Sequence, residues 1–98
     1  MDERTVQIVV SSRLKDAAYR DDFLRLSALL KTWLQRRPGF VRYELYETED
    51  GWFDTMLWRD QAAAEAGNAA FAQTDIAKGF YEIVAPGWRT LTGRWTRL

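Results

Sequence analysis

The 98-residue chain contains no cysteine and no histidine. Without cysteine there is no disulfide, no thiolate nucleophile and no iron–sulfur cluster. Without histidine, a Ser-His-Asp triad, a His-ligated zinc or haem and an imidazole base are excluded. Proline occurs only at Pro38 and Pro86, each followed by glycine. Charge of one sign is missing as well. Fourteen basic and fourteen acidic residues cancel, so no net field recruits nucleic acid or an anionic membrane. The opening "MDERTVQIVV" has no signal-peptide core, and no apolar run approaches membrane-spanning length. A cytoplasmic location is the expectation.

The chain is instead rich in apolar residues (47%) and aromatics (14%), which describes one globular domain rather than a disordered chain. "TVQIVV" (Thr5 to Val10) is β-branched and reads as a strand. From Ala18 to Arg36 the period changes. Tyr19, Phe23, Leu26, Leu30, Trp33 and Leu34 recur at three- and four-residue spacing and define one helix face, ended by Pro38-Gly39. "FVRYELYE" (Phe40 to Glu47) alternates as a second strand, Asp50-Gly51 marks a hairpin turn, and Trp52 to Trp58 is the third strand. Asp60 reads as the N-cap of an alanine-rich helix to about Phe71. Thr74 or Asp75 caps a shorter helix with Ile76, Phe80, Ile83 and Val84 inside, and Pro86-Gly87 ends it. "RTLTGRWTRL" is the last strand.

The order βαββαβ predicts an α+β, ferredoxin-like sandwich: a four-stranded antiparallel sheet with its helices on one face. Val6, Ile8 and Val10, then Val41, Tyr43 and Leu45, then Phe53, Thr55 and Leu57 are expected beneath the helices. Phe40, Arg42, Glu44 and Tyr46 would then share the open face with Trp52, Asp54, Met56 and Trp58. An open face so rich in large apolar groups is rare in a monomer. Burying each aromatic is worth roughly 1.5–3 kcal/mol, so that face is expected to be a partner face, a pocket wall, or both.

The run "RRPGFVRYELYE", the strand ending in Trp58 and the segment "RDQAAAEAGNAAFAQTDIAKGFYEIVAP" together resemble the antibiotic biosynthesis monooxygenase superfamily. The resemblance spans nearly the whole chain. Its markers are Pro38-Gly39, Tyr43-Glu44, Trp58, and Asp60 ahead of the second helix. It implies a homodimeric α/β barrel, two sheets packed face to face, each enclosing a cavity between its own sheet and helices. It also implies a small aromatic or hydrophobic ligand and, for the oxygenases of the superfamily, catalysis with no cofactor.

On that resemblance Trp58 lines the cavity and orients a flat substrate; the alternative is a core or interface tryptophan. Asp54 stands where anthrone-oxidising members resemble it with an asparagine. A carboxylate beside two tryptophans is expected to be harder to ionise, which suits a general base near neutral pH. A solvated residue, or an ion pair with Arg42, is the other reading. Arg42, Arg89 and Arg94 are candidates to hold a phenolate, enolate or superoxide. Tyr81 is a second candidate for the proton, and Tyr46, Met56 and Ser12 are further substrate-contacting candidates. Haem-degrading members carry asparagine, tryptophan and histidine where this chain has Ser12, Trp58 and Tyr81. Only the tryptophan remains, and the usual axial ligand is gone.

The acidic group Glu47, Glu49, Asp50 and Asp54 lacks a calcium-loop spacing, so no metal site is expected. No Gly-rich phosphate loop occurs. An RNA-recognition module shares the βαββαβ order, but it needs stacking rings at alternate strand positions, where this chain has Asp54. The expectation is a monooxygenase of phenolic, anthrone or quinol substrates. A non-catalytic ligand-binding barrel, or a cofactor-free isomerase or cyclase, is the alternative.

Overall fold

A computed structural model describes residues Met1–Leu98. The order is β1 (Val6–Ser12), a 3-10 turn (Ala17–Tyr19), α1 (Arg20–Leu34), β2 (Phe40–Glu47), β3 (Trp52–Trp58), α2 (Gln61–Phe71), α3 (Asp75–Ile83) and β4 (Arg89–Arg94). The four strands form one antiparallel sheet in the order β2-β3-β1-β4, the ferredoxin-like arrangement that the sequence predicts. No helix is long and apolar enough to cross a membrane.

Local chemistry sets the element ends. The Asp60 carboxylate accepts the Ala63 N–H at 2.8 Å and starts α2, and the Thr74 hydroxyl oxygen accepts the Ala77 N–H at 3.1 Å and starts α3. Asp60, Thr74 and the turn-forming Pro-Gly pairs are therefore where the pattern places them. Gly39 takes a positive φ of 78°, which a β-carbon disfavours, and a β-carbon there would also overlap that of Ala63.

The apolar stripe of α1 (Phe23, Leu26, Leu30 and Leu34) is buried against the sheet. Each such side chain contributes about 1.5–3 kcal/mol on removal from water. Two adjoining clusters result. One joins Val6, Ile8, Leu30, Leu34, Tyr43 and Trp58, and the other joins Phe23, Leu26, Trp52, Ile83 and Val84.

The phase of β3 differs from the sequence expectation. Val6, Ile8, Val10 and Ser12 stand opposite Trp58, Met56, Asp54 and Trp52, so these residues share the helix-covered face. Phe53, Thr55 and Leu57 belong to the open face. The two sides of β3 are almost equally apolar, and the single carboxylate made the tryptophan side look like the outer one. That carboxylate is in fact accommodated by a buried partner.

Phe40 is also inward rather than outward. Arg42 pairs with Leu57 while Phe40 pairs with Trp58, so Val41 is an extra residue in β2. Val41 is exposed, and the bulge lets Phe40 and Tyr43 lie on one face. Phe40 meets Trp58 edge-on, with ring centroids 5.4 Å apart. On the open face Tyr46 stacks on Phe53 at 4.8 Å, and Leu91 is 72% exposed.

Candidate functional site

Between the covered face of the sheet and the three helices lies a cavity of about 310 Å³. That is a volume suited to a small organic ligand. Its wall is mostly apolar. Ile8, Val10 and Met56 come from the central strands, Leu30, Phe71 and Phe80 from the helices, and the polar groups are Ser12, Asp54, Asn68, Tyr81 and Thr90. No lysine or arginine lines it.

Trp58 closes one end and is only 1% exposed. The helix above it comes close because residue 67 is glycine, and a β-carbon there would overlap the indole. This gives the alanine-rich helix a specific purpose: small residues bring its backbone against the ring. Trp52 marks the other end of the strand. Phe23 packs on it at 4.9 Å, and the Arg20 guanidinium lies 5.6 Å over its ring while binding Glu47 at 2.9 Å.

Asp54 lies between the two tryptophans on the same face. The Tyr43 phenol, from the neighbouring strand, donates to its Oδ2 at 2.9 Å. Its Oδ1 is buried and has no hydrogen-bond partner in the protein. Burial pushes the Asp54 carboxyl up to about 6, an effect that the Tyr43 hydrogen bond partly opposes. Burial, reinforced by the Asp54 charge, holds the Tyr43 phenol far above its usual range, so Tyr43 stays protonated and is the donor of its bond to Asp54.

The indole Nε1 of Trp58 is a second buried polar atom without a partner. Asp54 and Trp58 are four residues apart, about 13 Å of strand at Cα. Two residues of the cavity wall therefore each carry a buried polar atom without a protein partner, an acceptor on Asp54 and a donor on Trp58. Such atoms are costly unless a ligand or water meets them.

Of the residues singled out in the sequence, Asp54, Trp58, Tyr81, Met56 and Ser12 all line this cavity. Tyr81 lies at the mouth, 54% exposed and stacked on Trp88 at 5.9 Å. Arg42 and Tyr46 do not line the cavity: they are on the open face, where Arg42 pairs with Glu44 at 3.3 Å. Their assignment followed from the inverted phase of β3, so a contact between Arg42 and a cavity ligand is corrected. Arg89 and Arg94 also lie outside the cavity wall. Asn68 and Trp88 carry no motif, and only the helix packing brings them to the cavity wall and to Tyr81 respectively. Tyr43 is expected beneath the helices, but its role as the partner of Asp54 comes only from the strand register.

No protein-family profile matches the chain, and no curated protein matches it. Solved structures do. SnoaB from Streptomyces nogalater, a cofactor-independent oxygenase, is 21% identical with a TM-score of 0.78, covering 95% of this chain and 96% of that one. A candidate antibiotic biosynthesis monooxygenase from Nitrosomonas europaea is 10% identical with a TM-score of 0.84, over 97% and 93% of the two chains. A conserved protein from Methanosarcina mazei Go1 is 12% identical, with a TM-score of 0.84 over 96% and 95%. Strand order, helix placement and these likenesses thus meet in one conclusion: the chain has the fold of the antibiotic biosynthesis monooxygenases.

Proposed function

We propose that this protein is a cofactor-independent monooxygenase of a flat hydroxylated aromatic, of the anthrone type, acting as a homodimer. The observation that carries the reading is Asp54. It is a carboxylate on the wall of an apolar cavity, with one oxygen held by Tyr43 and the other without a partner, and burial pushes it up to about 6. That is the state a general base requires.

In the proposed reaction Asp54 Oδ1 takes the proton of the enol hydroxyl, leaving a carbanion-like centre at the ring CH. This anion passes one electron to O2, giving a substrate radical and superoxide. The two combine in a C–O bond, and the proton on Asp54 goes to the peroxide. Loss of water from the hydroperoxide, with the ring C–H proton and cleavage of the O–O bond, leaves a carbonyl. The sum is CH2 + O2 → C=O + H2O. In this reading Trp58 Nε1 donates to a ring oxygen at the far end, and the apolar wall keeps the anion desolvated.

The open face supports the homodimer. Leu91 and the Tyr46–Phe53 stack stand there uncovered, beside central residues Thr55 and Leu57 that are already buried. The test is oxygen uptake by metal-stripped protein with anthrone, alongside Asp54→Asn and Trp58→Phe. Uptake above autoxidation that falls at least tenfold in Asp54→Asn supports the reading. Equal rates in wild type and Asp54→Asn overturn it.

A further inference from the structure

Ser27 breaks the pattern of the helix that carries it. It falls on the inner stripe of α1, four residues after Phe23 and three before Leu30, and the other buried positions of that helix are all apolar. The residue is 4% exposed, and its Oγ is buried with no hydrogen-bond partner in the protein. A hydroxyl within a helix can satisfy itself on the carbonyl four residues back. Thr32 of the same helix does so, donating to the Ala28 carbonyl at 3.3 Å. Ser27 does not. A buried hydroxyl in a core position is costly when it is left unpaired.

Tyr43 lies beside it. Ser27 and Tyr43 line one groove, of about 390 Å³, between α1 and the edge strand β2. The Ser27 hydroxyl draws the Tyr43 phenol down, against burial and the Asp54 charge, which raise it. The two groups are complementary. Tyr43 commits its one proton to Asp54 Oδ2 at 2.9 Å, and its oxygen keeps acceptor capacity. Ser27 has a proton and no acceptor. Tyr43 lines the groove and not the cavity, whereas Asp54 lines the cavity and not the groove, so the phenol joins the two sides.

Few other groups compete for this role. In the ladders Asp54 stands opposite Val10 of β1 and Leu45 of β2, and the helices bring Phe23, Phe80 and Tyr81 to its cavity. On the groove side the titratable residues are Lys31, Glu44 and Tyr46, and Glu44 is paired with Arg42 at 3.3 Å. We propose that Ser27 is a positioning residue for Asp54, acting through Tyr43: its hydroxyl closes on the phenol oxygen as a donor and keeps the phenol proton on Oδ2. Donors in series polarise one another, so the carboxylate is held more firmly than by Tyr43 alone. The functional meaning of this arrangement rests on Asp54 being the base, as proposed above.

The test is a titration of the Asp54 carboxyl by carbon-13 NMR in substrate-free protein, with the signal assigned by its loss in Asp54→Asn. Ser27→Ala removes the hydroxyl without adding volume. It is expected to raise the Asp54 midpoint by roughly 0.3 of a pH unit, a fraction of the effect of deleting the phenol hydroxyl itself. In the Tyr43→Phe background the same substitution should move the midpoint no further, because the route is gone. The rising limb of the oxygen-uptake profile should follow the midpoint in each variant. An unmoved midpoint in Ser27→Ala overturns the role, and so does an equal shift in the Tyr43→Phe background. The titration needs no substrate, so an absence of oxygen uptake overturns the oxygenase reading and leaves the link from Ser27 to Asp54 to be read on its own.

Discussion

The phenol of Tyr43 donates a 2.9 Å hydrogen bond to Oδ2 of Asp54 across the β2–β3 ladder, and both side chains are inside the helix-covered layer. The bond satisfies half of a buried carboxylate and leaves the other half without a protein partner. Its energetic consequences are measurable in the absence of any substrate.

Asp54 in the folded chain is harder to ionise than in the unfolded one, about 6 against 3.8. A group raised in this way contributes stability below pH 3.8 that is lost as the pH rises through about 6. Two units correspond to about 3 kcal/mol. Urea unfolding at pH 4 and pH 7 should therefore show Asp54→Asn gaining about that much relative to wild type across the interval. A difference independent of pH would remove the buried charge from the account.

Tyr43→Phe deletes the only hydrogen bond to the Asp54 carboxylate from another side chain. The bond favours the ionised form, so its loss should move the Asp54 midpoint, and the rising limb of the oxygen-uptake profile, about one unit further up in pH. The profile must shift rather than merely shrink. An unmoved midpoint would mean that Tyr43 is packing alone.

Gly67→Ala would ordinarily favour a helix by about 1 kcal/mol. Here the added methyl overlaps the Trp58 indole, and the expected result is a net loss of about 1–3 kcal/mol. Thermal unfolding gives the sign, and near-ultraviolet circular dichroism reports whether the indole has been displaced.

The open face is tested by Leu91→Asp. A carboxylate in the middle of an apolar contact would be buried without a partner, so sedimentation should show a shift from dimer to monomer. Retention of the dimer would move the interface elsewhere on the molecule.

Most of the fold is legible in the sequence because it depends on local chemistry. Asp60 and Thr74 cap helices, Asp50-Gly51 turns a hairpin, and the three- and four-residue spacing from Phe23 to Leu34 fixes the inner side of α1. The orientation of β3 is not legible in this way. Phe53 and Leu57 on one side are matched by Trp52 and Trp58 on the other, and alternation has nothing to discriminate between them. The deciding contact is Tyr43 to Asp54, a pairing across eleven residues that exists only once β2 and β3 are in register. Arg42 and Tyr46 are on the open face as expected, but were grouped with Asp54 for the same reason, whereas Asp54, Trp58 and Met56 were singled out as a group and line one cavity. Tyr43, whose partner was unseen, read as simple core.

The extra residue at Val41 has a consequence of parity. Side chains alternate along a strand, so positions 40 and 43, an odd number apart, would project from opposite sides of an unbroken β2. The bulge changes the count by one. Phe40 then braces the indole that ends the cavity, and Tyr43 holds the carboxylate in its middle. Both ends of the chemistry thus hang on one miscounted step of backbone. Deleting Val41 would leave the composition nearly intact while forcing β2 to serve either the tryptophan or the aspartate, but not both.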